Sequence, residues 1–180
     1  AGVHLNFLIT PPDRDQAALS EQERVALDRM RRYQQELSGY FRIQSTRPQT
    51  LAYAMHDSPT GLLAWIAEKF TEWSDPASVI DADDQLTNVM LYWLTGTAGS
   101  AMRLYWEEAH AQGPASAQPS SVPTGVAIFP HEIAPPVRHI ADRTDNIVHW
   151  SPQPRGGHFA ALEEPGLLID DVRAFFRGLR

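Results

Sequence analysis

The sequence predicts an α/β fold that is helical through its first two thirds and ends on parallel strands. Three observations carry this. Between residues 59 and 110, apolar side chains recur at helical spacing in stretches separated by stop signals. In the last third, Val122-Pro123-Thr124-Gly125-Val126-Ala127-Ile128-Phe129 is a short apolar run of the kind expected of a strand buried on both faces, and Asn146-Ile147-Val148-His149-Trp150-Ser151 is a second run. The second run leads through Gly156-Gly157 into an amphipathic helix, so strand, connection, strand, helix closes the chain.

Each element has a local cause. Gly2-Val3-His4-Leu5-Asn6-Phe7-Leu8-Ile9 alternates weakly and stops at Pro11-Pro12, as a short strand or extended lead-in does. Ser20 with Glu23 forms a capping-box pattern, and Ala26, Met30, Tyr33 and Leu37 follow at helical spacing up to Gly39 as the C′ residue. Ser58 can cap and Pro59 opens the clearest helix, whose apolar face is Leu62, Leu63, Ile66, Phe70 and Trp73. Ser74-Asp75-Pro76 stops it. The next helix begins near Asp83-Asp84, whose charges suit a helix N-terminus, carries Leu86, Val89, Met90, Trp93 and Leu94, and breaks at Gly96. Met102, Tyr105, Trp106 and Ala109 mark another. Residues 112–123 read as a loop by composition. From about Gly166 a last helix presents Leu168, Val172, Phe175, Phe176 and Leu179.

Composition bounds the function. At 180 residues the chain can form one well-buried domain, and it contains no cysteine, which excludes thiolate metal sites, disulfides and a cysteine nucleophile. Fifteen basic residues stand against 22 acidic ones, and Lys69 is the only lysine. An acidic chain without a basic stripe is a poor nucleic-acid binder. No apolar stretch approaches the roughly 18 residues of a membrane span, and residues 1–6 lack a signal-peptide pattern. A soluble, cytoplasmic protein is therefore expected.

Two residues stand where an α/β fold gathers its chemistry, in loops beyond the carboxyl ends of strands. Glu132 follows the first run in Phe129-Pro130-His131-Glu132, and His158 follows the second in Arg155-Gly156-Gly157-His158-Phe159. A carboxylate on one imidazole nitrogen sets the tautomer and leaves the other nitrogen free as a base. His131, His139 and His149 compete as the base, and Asp142 or Asp145 as the acid. No second His follows His131-Glu132 at zinc-protease spacing, and neither a phosphate-binding glycine loop, Gly-x-Ser-x-Gly nor Gly-x-Asp-x-Gly is present. An acid and a base are visible in outline; a nucleophile is not. Two strands buried on both faces also need further strands beside them, so the sheet in this chain is expected to be incomplete by itself.

Several segments, taken together and in order, resemble the microsomal-type epoxide hydrolases. These are Gly2-Val3-His4-Leu5-Asn6, Ser38-Gly39-Tyr40-Phe41-Arg42-Ile43-Gln44, Asp57-Ser58-Pro59-Thr60-Gly61-Leu62, Trp65-Ile66-Ala67-Glu68-Lys69-Phe70 and Trp73-Ser74. Asn88-Val89-Met90-Leu91-Tyr92-Trp93, Thr95-Gly96-Thr97 and Arg155-Gly156-Gly157-His158-Phe159-Ala160-Ala161-Leu162-Glu163 complete the set. The resemblance implies the C-terminal part of an α/β-hydrolase fold with an inserted, mostly helical cap. Residues 1–111 would hold the end of a core strand, the cap and an adjoining core helix, 112–122 a linker, and 123–180 the C-terminal α/β core.

By motif, the resemblance makes His158 the base, Glu132 its orienting acid, and Tyr40 and Tyr105 the cap tyrosines that hydrogen-bond the epoxide oxygen. A phenol with a pKa near 10 stays neutral at pH 7 and can still serve a developing alkoxide. The implied substrate is a small hydrophobic epoxide, with no metal and no cofactor. The implied partner is an N-terminal half carrying the Asp nucleophile, as a separate chain or the other product of a nick. A dimer is compatible with this reading. A dehalogenase is the second enzyme class, although a halide leaves without a proton and needs no tyrosine donors. The third reading is an interaction module that pairs through its sheet edge.

Overall fold

The chain's first helix starts where Ser20 and Glu23 exchange hydrogen bonds, Ser20 N–H donating to Glu23 Oε2 over 2.7 Å and Glu23 N–H to Ser20 Oγ over 3.3 Å. The computed structural model describes residues 1–10, 19–111 and 119–179. The expected stop at Pro11-Pro12 and positions 112–118 of the expected 112–123 loop lie outside the described residues. In chain order the elements are β1 (Val3–Leu5), α1 (Glu21–Arg32), a π-helical turn (Tyr33–Leu37), α2 (Gly39–Thr46), α3 (Pro48–Asp57), α4 (Pro59–Trp73), α5 (Ala82–Thr95) and α6 (Ala98–His110). They continue with β2 (Pro123–Ile128), α7 (Arg138–Ala141), β3 (Asn146–Pro152), α8 (Ala160–Glu163) and α9 (Pro165–Gly178).

One compact unit comprises Ala1–Gln34, Trp73–Val79 and Ala115–Arg180. Its sheet runs β1-β2-β3, all parallel, with Leu5 opposite Val126 and Val126 opposite Trp150. The alternation along β2 decides which residues meet which helices. Val126 packs with Ala141 and Ile147 on one face, whereas Ala127 and Phe129 pack with Ala160, Leu167 and Leu168 on the other. Phe175 of α9 lies against Gly125, where an added Cβ would come within 2.8 Å of its ring. Burial of this phenyl group stabilises the helix–sheet contact by about 2 kcal/mol. On α1, Ala26 packs with Val137 and Ile140.

The second unit, Gln35–Glu72 and Ile80–Pro114, is helical. Ala52, Met55, Leu62, Val89, Ala98 and Met102 form its core, one contribution or more from each of α3, α4, α5 and α6. Gly96 ends α5 in the left-handed conformation, φ 63°. His56 ties α3 to that turn, with Nδ1 2.8 Å from the Ala52 carbonyl and Nε2 2.9 Å from the Gly96 carbonyl. The Gly96 carbonyl, then that of Ala52, hold its pKa above the ordinary 6.5.

The strands, the capping box and the helices at 59–73, 82–95, 98–110 and 165–178 follow the sequence expectation. Gly39 does not. No residue there takes a positive φ; the break falls at Ser38, and Gly39 opens α2 instead of closing the previous helix. Helices α2 and α3 were not expected as elements. They are short, and Arg47 separates them at φ −140°, pushed out of the helical region by Pro48. Helix α5 is capped by Asp81, whose Oδ1 accepts from Asp83 N–H at 2.8 Å, ahead of the acidic pair that marks its first turn. No helix among the described residues is long and apolar enough to cross a membrane.

Candidate active site

Strand β2 delivers the chain into a tight turn, where Glu132 N–H donates to the Phe129 carbonyl at 3.2 Å and His131 N–H to the Gly156 carbonyl at 3.0 Å. The acid loop and the His loop are thereby laid side by side. Glu132 is 1% exposed. Its Oε1 accepts from Ile133 N–H at 2.7 Å and lies 2.8 Å from His158 Nδ1. Glu132 Oε2 is buried without a hydrogen-bond partner among the described residues. Nδ1 is thus the ring nitrogen that faces the carboxylate, and a carboxylate in its anionic form can only accept, so this geometry favours a proton on Nδ1.

Aromatic rings hold the imidazole. Phe7, Trp73 and Phe159 surround it at centroid distances of 5.0, 5.1 and 5.2 Å, each near-perpendicular to it. The loop that carries it depends on two glycines. Gly156 sits at φ 100°, which side chains strongly disfavour. Gly157 lies so close to the Trp73–Asp75 backbone that an added Cβ would fall 2.7 Å from Asp75 N. His158 N–H donates to the Trp73 carbonyl at 3.0 Å.

Tyr40, at the start of α2, and Tyr105, on α6, are brought together in the helical unit, with rings edge-to-face at 5.9 Å. Lys69 lies over the Tyr40 ring at 4.9 Å, and Phe41 packs edge-on to Tyr105 at 5.6 Å. Thus the four residues singled out in the sequence form two pairs, Glu132 with His158 and Tyr40 with Tyr105, each within its own unit.

The competing candidates have other partners. His139 Nδ1 is 2.5 Å from Glu23 Oε1, Asp142 accepts from Arg138 at 3.0 Å, and Asp145 accepts from the Thr144 hydroxyl at 2.7 Å. His131 Nε2 lies 3.5 Å from Asp75. His149 Nε2 and His4 Nε2 face the two oxygens of Asp171, at 2.9 and 2.7 Å. Among the described residues these three are the group with metal-ligand types and spacing. Their hydrogen bonds already tie β1 and β3 to α9. What sequence reasoning missed is this network and the box around His158. Phe7 and Trp73 gave no signal by spacing, because they reach the imidazole from distant parts of the chain.

Burial pushes the Asp171 carboxyl up, but hydrogen bonds from Ser151, His4 and His149 outweigh it and hold its pKa below the ordinary 3.8. The Asp75 pKa is lowered from 3.8 by the Ala77 and Gly156 N–H groups, with a smaller contribution from His131. A depressed carboxyl pKa contributes stability that is present above the unfolded value and lost as pH falls through the folded one. Denaturant stability is therefore expected to drop below about pH 4. Asp171→Asn should make that acid slope shallower, which urea titrations at stepped pH would read directly.

The parallel sheet flanked by helices, with an acid and a His in loops after successive strands, is the C-terminal part of an α/β-hydrolase fold. No protein-family model matches the chain. It is 43% identical over 186 residues to a Stigmatella aurantiaca protein that carries the name epoxide hydrolase, covering 100% of this chain and 42% of that protein. Epoxide hydrolase 1 of Sus scrofa is 40% identical over 153 residues, 77% of this chain and 34% of that protein. The solved epoxide hydrolase of Aspergillus niger superposes with a TM-score of 0.85 at 33% identity, covering 99% of this chain and 46% of that one. The chain belongs to the epoxide hydrolase family and matches a C-terminal portion of its members. It spans less than half the length of these relatives.

Proposed function

We propose that this chain supplies the acid–base pair and the oxygen-holding tyrosines of an epoxide hydrolase that turns a hydrophobic epoxide into a vicinal diol. The observation that carries this reading is the buried Glu132 carboxylate, 2.8 Å from Nδ1 of an imidazole held among three rings. In this reading an Asp carboxylate from an N-terminal segment attacks one ring carbon. The carbon–oxygen bond breaks as Tyr40 and Tyr105 hydrogen-bond the departing oxygen, and one of the two phenols gives it a proton. His158 Nε2 then removes a proton from water and the hydroxide attacks the carbonyl carbon of the alkyl-enzyme ester. The acyl–oxygen bond breaks, the leaving oxygen takes its proton from the imidazolium, and the carboxyl's proton returns to the phenolate through solvent as the diol leaves. Residues 1–111 would carry the end of a core strand, the cap and a core helix, 112–122 the linker, and 123–180 the rest of the core.

The apolar side chains of the helical unit suit an apolar substrate. The test is reconstitution: the chain combined with an N-terminal segment bearing a Gly-x-Asp-x-Gly elbow is expected to form diol. Assembly without turnover would reject catalysis in favour of a binding role, and halide release from haloalkanes in place of diol formation would reject the substrate class. In the assembled enzyme, Glu132→Gln should slow ester hydrolysis roughly 10- to 100-fold while changing ring opening less, because the carboxylate orients the base and not the nucleophile. Stopped-flow traces with unchanged ester decay would remove Glu132 from that role.

A further inference from the structure

We propose that Asp75 and Glu163 are positioning residues that clasp the main chain on both sides of His158. The proposal rests on the reading of His158 as the base.

The hydrogen bonds form a closed set. Gly156 N–H donates to Asp75 Oδ2 at 2.9 Å, and His158 N–H donates to the Trp73 carbonyl at 3.0 Å. Phe159 N–H donates to Glu163 Oε1 at 2.8 Å. Glu163 Oε2 then accepts from Asp75 N–H at 2.7 Å, which joins the two carboxylates. Three of the four N–H groups from Gly156 to Phe159 are thus held by the Trp73–Asp75 segment or by Glu163. The fourth residue, Gly157, is in backbone contact with the same segment.

Local turn chemistry accounts for only half of this. Asp75 Oδ1 accepts from Ala77 N–H at 2.9 Å, as an Asp does in an ordinary turn. Its other oxygen reaches 81 residues along the chain to Gly156. Glu163 likewise serves its own helix start with Oε1 and reaches 88 residues to Asp75 with Oε2. Asp75 is 5% exposed, and His131, next to the orienting acid, lies 3.5 Å from it. One carboxylate therefore borders both the acid loop and the base loop. Neither clasp residue hydrogen-bonds the imidazole, so each acts through the backbone. An error of about 1 Å in a reacting group costs on the order of 10²-fold in rate.

The experiment uses the assembled enzyme with Asp75→Ala, Asp75→Asn and Glu163→Gln, following ring opening and ester decay in single turnovers. Asp75→Ala is expected to slow ester decay roughly 10- to 100-fold, with ring opening and KM within about threefold. Asp75→Asn and Glu163→Gln each keep one acceptor oxygen and should fall between Asp75→Ala and the unchanged enzyme. If Asp75→Ala does not fold, those two variants decide. In ¹⁵N spectra of the histidine rings, the wild-type protein should show a single Nδ1–H tautomer for His158, and the variants a mixture.

Ester decay at the wild-type rate, or equal losses in both steps, would overturn the clasp. Failure of the underlying reading looks different: the unaltered enzyme makes no diol, or His158→Gln leaves ester decay untouched. In that case the ring spectra still decide, since an unchanged His158 signal in Asp75→Ala refutes the clasp whatever the reaction.

Discussion

His158→Gln, placed in the assembled enzyme, should leave a single turnover stalled at the alkyl-enzyme ester. In the proposed mechanism, ring opening needs the Asp carboxylate and the phenols, whereas ester hydrolysis needs a base to take the proton of water. Glutamine has no basic nitrogen at neutral pH, yet its amide is close to imidazole in size and can still face Glu132. Loss of a general base costs roughly 10²- to 10⁴-fold. Mass spectrometry of the quenched reaction should show the Asp-bearing polypeptide heavier by the mass of the epoxide. A variant that turns over at the normal rate, or that forms no adduct although the unaltered enzyme does, would remove His158 from the hydrolytic step.

Gly157→Ala should be nearly as damaging, although it adds only one methyl group. The added carbon would lie 2.7 Å from Asp75 N, 2.8 Å from the Trp73 carbonyl oxygen and 2.9 Å from the Ser74 carbonyl carbon. All three are backbone atoms, so no side chain can swing aside. Overpacking of this kind costs about 1–3 kcal/mol. For a protein of this size that corresponds to a drop in Tm of roughly 3–10 °C. The neighbouring His158 must shift with the loop, so, with His158 as the proposed base, ester hydrolysis is expected to fall about 100-fold. Gly166→Ala is the control, because nothing lies within 4 Å of the position its Cβ would take. Equal Tm and turnover in both variants would show that the loop is not packed as described.

Much of this was legible along the chain. The Ser20–Glu23 box, the face of Leu62, Phe70 and Trp73, and the stop at Gly96 are local consequences of residue type, and local rules found them. That Glu132 and His158 could meet was legible for a different reason: both follow strands, and in such folds the loops beyond strand ends converge. Gly39 reads as a helix end but opens a helix, because a glycine after an apolar stripe fits a helix end and a helix start alike; the surrounding packing chooses. Asp75 looked like a helix stop. It is one, but the oxygen not used in that turn reaches Gly156, and no spacing announces a hydrogen bond across 81 residues.

Sequence by itself determined the strands with their parallel character, the capping box and the four longer helices, and it narrowed the candidates for acid–base work, since propensity, capping and periodicity act over a few residues. Tertiary structure alone decided that Glu132, and not Asp142 or Asp145, faces His158. It also decided that His149 belongs to Asp171, and that Phe7, Trp73 and Phe159 enclose the imidazole. Those outcomes depend on which distant segments pack together. That is settled by burial and by pairing buried polar groups across the whole fold, and short stretches of chain carry no record of it.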